Sequence, residues 1–157
     1  MKCKCYIYFI SNNSTRRFIN CLVFFYLVGE DSHFYKWRVK KENREIDRYQ
    51  KYIVAECDGQ VVGCEWLEDI NDENADCEVI ALYVRCKSRG NGIGKALLQH
   101  AMEQFKNNGK NSMIIWCLKD NIEARKFYEK MGGKELAFGT HRWGEKDYDM
   151  IAYRYVL

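Results

Sequence analysis

The run of residues with the most obvious chemistry is Arg85 to Leu98, R-C-K-S-R-G-N-G-I-G-K-A-L-L. Gly90, Gly92 and Gly94 alternate with basic residues on both sides, and a helical pattern follows. Glycines let backbone N–H groups close on an anion, and a helix start aims its positive end at the same place. The stretch is therefore suited to hold phosphate. Two phosphate cradles fail on spacing. A nucleotide P-loop needs G-x-x-x-x-G-K-[ST]; Gly90 to Gly94 is one residue short, and Ala96 stands where a hydroxyl would hold Mg²⁺. A dinucleotide loop needs G-x-G-x-x-G; its third glycine falls on Lys95 counted from Gly90, and on Leu97 counted from Gly92. What remains is R-x-x-G-x-G, Arg89 to Gly94, or a glycine-rich turn with no ligand.

Two further groups could do chemistry. Glu68 to Glu78 reads E-D-I-N-D-E-N-A-D-C-E, with six acidic residues of eleven and none basic. Such a loop would draw a cationic amine, although a solvated acidic turn has the same composition. The eight cysteines form no C-x-x-C pair and no Cys/His spacing of a zinc site, so no metal centre is expected. Most stand in apolar stretches, as small buried hydrophobes do, which fits a reducing, cytoplasmic setting.

The elements that must position these groups follow from periodicity. The chain has 157 residues, 47% hydrophobic and 30% charged, with a net charge of +3. That suits one domain with a real core and supplies no basic face for nucleic acid. No proline and no Gly/Ser linker marks a boundary. Phe18 to Gly29 is an apolar run of twelve residues, too short to span a bilayer, so it is expected inside the domain or at a dimer contact. Cys5–Ile10 reads as a strand, with helices from about 15 to 28 and 33 to 49. Tyr52–Cys57 and Gln60–Leu67 read as strands about an Asp58-Gly59 turn. Cys77–Val84 is a strand, and Ile93–Asn108 a helix stopped by Gly109. Ser112–Leu118 is a strand, and a capping box of Asp120 and Glu123 opens a helix to Met131. Lys134–Trp143 and Tyr148–Val156 close the chain as a hairpin. The order predicts a mixed sheet with helices on both faces.

Three blocks resemble the GNAT N-acetyltransferase superfamily in order and spacing. They are Glu78 to Val84 (E-V-I-A-L-Y-V), Arg89 to Gly94, and Asn121 to Gly132, similar to N-x-x-A-x-x-F-Y-x-x-x-G. The resemblance runs from about Lys51 to Gly133. It implies residues 1–50 as an atypical N-terminal part, 51–133 as an acetyl-coenzyme A core, and 134–157 as the terminal hairpin. Gly133 departs from the family, which usually carries an aromatic after the glycine. The implied fold is an α/β, mostly antiparallel sheet of six to seven strands, splayed between the fourth and fifth.

The implied activity is direct transfer of acetyl from acetyl-coenzyme A to a primary amine of a small molecule or peptide. A non-catalytic acyl-coenzyme A-binding sensor or interaction module is the alternative. By resemblance, Gly90, Asn91, Gly92, Ile93, Gly94 and Lys95, with Arg89, take the diphosphate. Leu82, Tyr83 and Val84 meet the pantetheine arm, and Asn121 hydrogen-bonds it. The Leu82 N–H polarises the carbonyl, Glu78 stands where some members place the base, and Tyr128 matches the tyrosine that approaches the cofactor sulfur. Trp37, Trp66, His33, His141 and Trp143 could line the acceptor side.

Overall fold

Alternating apolar residues from Lys51 to Val84 build an antiparallel run of strands that carries the rest of the sheet. A computed structural model of the chain describes residues 5–9, 51–57, 60–143 and 145–157. Its strands are β1 (Cys5–Phe9), β2 (Lys51–Cys57), β3 (Gln60–Asp72), β4 (Ala75–Val84), β5 (Ser112–Leu118), β6 (Lys134–Trp143) and β7 (Lys146–Val156). They form one seven-stranded sheet in the order β1-β2-β3-β4-β5-β7-β6. Every neighbouring pair is antiparallel except β4–β5, which is parallel. Two helices are described, α1 (Ile93–Asn107) and α2 (Ile122–Lys130).

The helix α1 forms as its spacing predicts. Ile93, Leu97, Leu98, Ala101 and Phe105 are buried on one stripe. Fully burying a side chain of this kind stabilises by about 1.5–3 kcal/mol. Gly109, at φ +76°, follows the helix end. The stripe joins Cys77, Val79, Met113, Ile115, Ile151, Tyr153 and Tyr155 of the sheet and Tyr128 of α2 in one core. Both described helices therefore cover the same sheet face. The helices expected over 15–28 and 33–49, and the Asp58-Gly59 turn, lie outside the described residues.

Some boundaries move. β3 runs to Asp72 and β4 begins at Ala75, so the acidic stretch is mostly paired strand rather than loop. Alternation decides this: Ala75 and Cys77 are buried while the acidic neighbours face outward or stay half-buried. α2 is capped by Asn121, whose Oδ1 accepts the Ala124 N–H at 3.2 Å, not by Asp120. β7 starts at Lys146 because the hairpin pairs Trp143 with Lys146. Cys77 and Cys117 are buried free thiols, as expected of most of the set; Cys86 is exposed, and Cys57 is buried but disulfide-bonded, against the expected reducing setting.

Candidate active site

The cleft exists because β4 and β5 start together and then part. They share two paired positions, Cys77 with Met113 and Glu78 with Ile114. Beyond these, a cavity of about 990 Å³ opens between the strands, as the expected splay requires.

The closed end is stapled by side chains. Asp76 Oδ2 accepts the Asn111 N–H at 2.8 Å, the Ser112 N–H at 3.1 Å and the Ser112 hydroxyl at 3.4 Å. These donors, Asn111 first, hold the Asp76 carboxyl below the usual carboxylate range. The Cys77 thiol donates to the Ser112 carbonyl at 3.2 Å. Burial pushes that thiol up to about 12, so it keeps its proton. Lys110 pairs with Asp69 at 3.3 Å across the same end.

The β4 wall presents backbone to the cleft. The Arg85 N–H donates to the Val62 carbonyl at 2.9 Å. Hydrogen-bonded and non-hydrogen-bonded pairs alternate along an antiparallel ladder. The pairs Gly63–Val84 and Glu65–Leu82 are therefore of the second kind. It follows that the N–H and C=O groups of Leu82 and Val84 turn away from β3, into the gap. The Val84 carbonyl confirms the direction by accepting the Arg89 Nε–H at 3.3 Å. β4 also carries one extra residue, Ile80, between the pairs Trp66–Ala81 and Leu67–Val79. Such a bulge sharpens local twist and helps β4 leave β5.

At the mouth the chain turns through a short 3₁₀ helix, Cys86–Ser88, into Gly90 at φ +79° and Gly92 at φ +81°. Left-handed backbone of this kind costs a residue with a Cβ roughly 1–2 kcal/mol. Gly92 is the N-cap of α1 and offers no side-chain acceptor, so the first-turn amides of Ile93, Gly94 and Lys95 have no cap bond. Arg89 is exposed, with Nη1 3.7 Å from Glu123 of α2. Asn91 sends Nδ2 back to the Ser88 and Arg89 carbonyls at 3.3 Å each; it shapes the turn and does not line the cleft.

The facing wall comes from α2. Asn121, Ala124, Phe127 and Tyr128 line it. A Cβ on Gly94 would stand 3.5 Å from the Phe127 ring, so this ring approaches the start of α1. The Phe127 and Tyr128 rings meet edge to face, with centroids 5.4 Å apart. Tyr128 is 6% exposed. Burial, reinforced by Cys117, Tyr155 and Tyr83, raises its phenol well above the ordinary value, so it holds its proton at neutral pH. Its hydroxyl has no hydrogen-bond partner among the described residues. Cys117, also lining the cleft, is pushed by burial to about 11.

Glu78, Trp116, Gly139, His141 and Met150 form the other end. Nothing in the pattern of Ser112–Leu118 marks Trp116 as a cleft residue. Its ring reaches over β7 to β6, where a Cβ on Gly139 would stand 3.2 Å from it. No local pattern signals that contact.

The cleft thus gathers Glu78, Leu82, Tyr83, Val84, Arg89, Gly90, Gly92, Ile93, Gly94, Lys95, Asn121 and Tyr128, every expected residue except Asn91. Of the acidic stretch only Glu78 lines it; Asp69 pairs with Lys110 at the closed end, and Asp72 accepts the Asn74 N–H at 2.8 Å within the β3–β4 turn. Trp66 is a core residue and His141 lines the cleft, while Trp37, His33 and the Trp143 side chain lie outside the described residues. Among the described residues no helix is long and apolar enough to cross a membrane, and no three His, Cys, Asp or Glu side chains converge as a metal site would need.

Residues 16–133 match the family described as Acetyltransferase (GNAT) family. An uncharacterized N-acetyltransferase of Methanocaldococcus jannaschii is 29% identical over 107 residues, 65% of this chain and 44% of that protein. The chain thus spans under half the length of that relative. The fold is similar to a putative acetyltransferase of the GNAT family from Desulfovibrio desulfuricans, with a TM-score of 0.75, 15% identity, and 98% and 99% of the two chains covered. A putative streptothricin acetyltransferase from Bacillus anthracis, solved with acetyl coenzyme A, superposes with a TM-score of 0.62 at 22% identity, covering 74% of this chain and 67% of that one.

Proposed function

The chain belongs to the acetyltransferase (GNAT) family, and from that premise we propose that it moves an acetyl group from acetyl-coenzyme A directly to a primary amine of a small molecule or peptide. The observation that carries this reading is the β4 wall. Its outward N–H and C=O groups at Leu82 and Val84 lead straight to the uncapped amides of α1. A pantetheine arm has amides of its own and can pair with such an edge as an added strand. A diphosphate suits the α1 amides, with Arg89 and Lys95 as counter-charge. Gly90 and Gly92 give the backbone its shape there.

Four requirements then fall to named groups. The Leu82 N–H donates to the carbonyl oxygen as charge gathers on it; being fixed in advance, it loses nothing to reorganisation. An alkylamine with a pKa near ~10.4 is mostly protonated at neutral pH. Glu78, on the sheet face away from α2, takes its proton directly or through water. The amine nitrogen bonds to the carbonyl carbon as the carbon–sulfur bond breaks. Tyr128, whose phenol carries its proton at neutral pH, donates that proton to the departing sulfur and regains one through solvent as the new amide nitrogen sheds its second proton. The amine enters from the side carrying Glu78 and Trp116. On this reading the reaction belongs in the cytoplasm, although the Cys57 disulfide departs from the reducing chemistry expected there.

The test has two parts. Calorimetry of coenzyme A into the folded protein should give heat of binding, and acetyl-coenzyme A with a panel of amines should release free thiol. Glu78→Gln should slow that release while leaving coenzyme A affinity unchanged. Binding without thiol release from any amine would leave only a coenzyme-binding module.

A further inference from the structure

Tyr128 stands where a helix holds its residues least firmly. α2 has nine residues, and Tyr128 lies in its last turn, where carbonyls lack intrahelical partners. The chain repairs this first with glycines. The Gly132 N–H donates to the Glu129 carbonyl at 2.9 Å and the Gly133 N–H to the Tyr128 carbonyl at 2.9 Å. These are the two bonds of a Schellman cap, with Gly132 at φ +92° in the left-handed position.

A second donor reaches the same carbonyl from another element. The Tyr155 hydroxyl on β7 donates to the Tyr128 carbonyl at 3.0 Å, in a buried setting. Tyr155 is 3% exposed. Its ring enters only because residue 133 has no side chain. A Cβ there would stand 2.7 Å from Tyr155 Cζ and 2.8 Å from its hydroxyl. Gly132 and Gly133 therefore serve different needs. One supplies the backbone turn, and the other leaves room for a tyrosine that comes 22 positions later in the chain.

Tyr153 offers a built-in contrast. Its ring lies 5.7 Å from that of Tyr128, and its hydroxyl also bonds to α2. Yet it accepts from Arg125 Nε at 3.1 Å and donates to Glu129 Oε1 at 3.0 Å, side chains both. It makes no hydrogen bond to the Tyr128 backbone among the described residues.

We propose that Tyr155, admitted by Gly133, is a positioning residue for Tyr128, tying its carbonyl to β7 so that the phenol stays aimed into the cleft. This rests on the proton-donating role given to Tyr128 above. A proton donor must sit within hydrogen-bond reach of its target, and small misplacements are costly. Tyr155 acts on that reach without touching substrate.

Steady-state kinetics of the full chain, with acetyl-coenzyme A and an amine it accepts, test this through four variants and one double variant. Tyr155→Phe should lower kcat roughly fivefold, the effect of one lost hydrogen bond, with KM for acetyl-coenzyme A unchanged. Gly133→Ala, whose Cβ would press on the Tyr155 ring and stand 3.0 Å from the Tyr128 carbonyl itself, should lower kcat at least as far. Tyr153→Phe should keep kcat. In a Tyr128→Phe background, Tyr155→Phe should cost nothing more, since coupled residues are not additive. Melting curves confirm that each variant is folded at the assay temperature, and either of Tyr155→Phe and Gly133→Ala suffices. Wild-type kcat in the folded variant, an equal loss in both backgrounds, or the same loss in Tyr153→Phe overturns the proposal. Wild-type kcat in Tyr128→Phe itself removes the parent role and this one together, whereas a low kcat there with an unaffected Tyr155→Phe sinks this proposal alone.

Discussion

The two ends of the β4–β5 pair are built from opposite materials. At the closed end side chains do the joining. Asp76 takes three hydrogen bonds from Asn111 and Ser112, Cys77 donates to Ser112, and Lys110 meets Asp69. At the open end the β4 backbone is left unpaired with β5. Leu82 and Val84 turn their polar groups to the gap, and α1 begins without a side-chain cap. Unpaired backbone groups are costly when buried without a partner. A protein can leave them bare only where water or a ligand reaches them. The closed end anchors the strands so that the open end can remain apart.

If this division is right, substitutions at the open end should cost function and spare stability, and those at the closed end the reverse. The largest effect belongs to Tyr128→Phe, which should lower kcat about a hundredfold, the low end of proton-transfer contributions, with little change in coenzyme A affinity by calorimetry. Gly92→Val forces a branched side chain to φ +81°. It should weaken coenzyme A binding roughly tenfold, read by the same titration, with a smaller change in melting temperature.

Asp76→Asn should leave coenzyme A affinity near wild type and lower Tm by a few degrees. The carboxyl of Asp76 is held below its ordinary value by Asn111 and Ser112. Its stabilisation is therefore present above the unfolded pKa of ~3.9 and is lost as pH falls through the lower folded value. The Tm gap between wild type and variant should shrink in acid below that range. A gap that is constant with pH would mean that the charge is not what staples this end.

The smallest effect is expected behind the open wall. Glu65, across from Leu82 on β3, is 1% exposed and meets His100 Nδ1 at 2.7 Å. Its Oε2 has no hydrogen-bond partner among the described residues. Burial raises its pKa above 4.5 despite the opposing pull of His100. The stability it contributes is full below its unfolded value and is lost as pH rises through the raised folded one. Glu65→Gln should therefore gain Tm relative to wild type as pH rises above the ordinary carboxylate range. A gap of opposite slope would show that the His100 contact outweighs burial.

Much of the open end was legible in the chain. The turn from β4 to α1 is local, and its glycines, basic residues and following apolar stripe lie within about twenty positions. α1 starts at Ile93 and stops before Gly109 as its pattern predicts. Nearly all the expected lining residues meet in the cleft. Less of the closed end could be read. The stretch Glu68–Glu78 has the composition of a solvated acidic loop, and its charge alone suggests attraction of a cationic acceptor. Strand pairing turns it into a hairpin and commits Asp69 and Asp76 to the base. Asn121 rather than Asp120 caps α2, a shift of one residue that composition does not resolve.

The sequence by itself determined most of the described elements, the glycine turn and the order of the blocks, because each depends on residues a few positions apart and on their own backbone preferences. Tertiary structure alone decided that Gly133 makes room for Tyr155, that Gly139 lies under Trp116, and that Asp76 clasps Ser112. Those contacts join residues more than twenty positions apart in the chain. They depend on strand register, and a shift of one residue turns every side chain to the other face of the sheet.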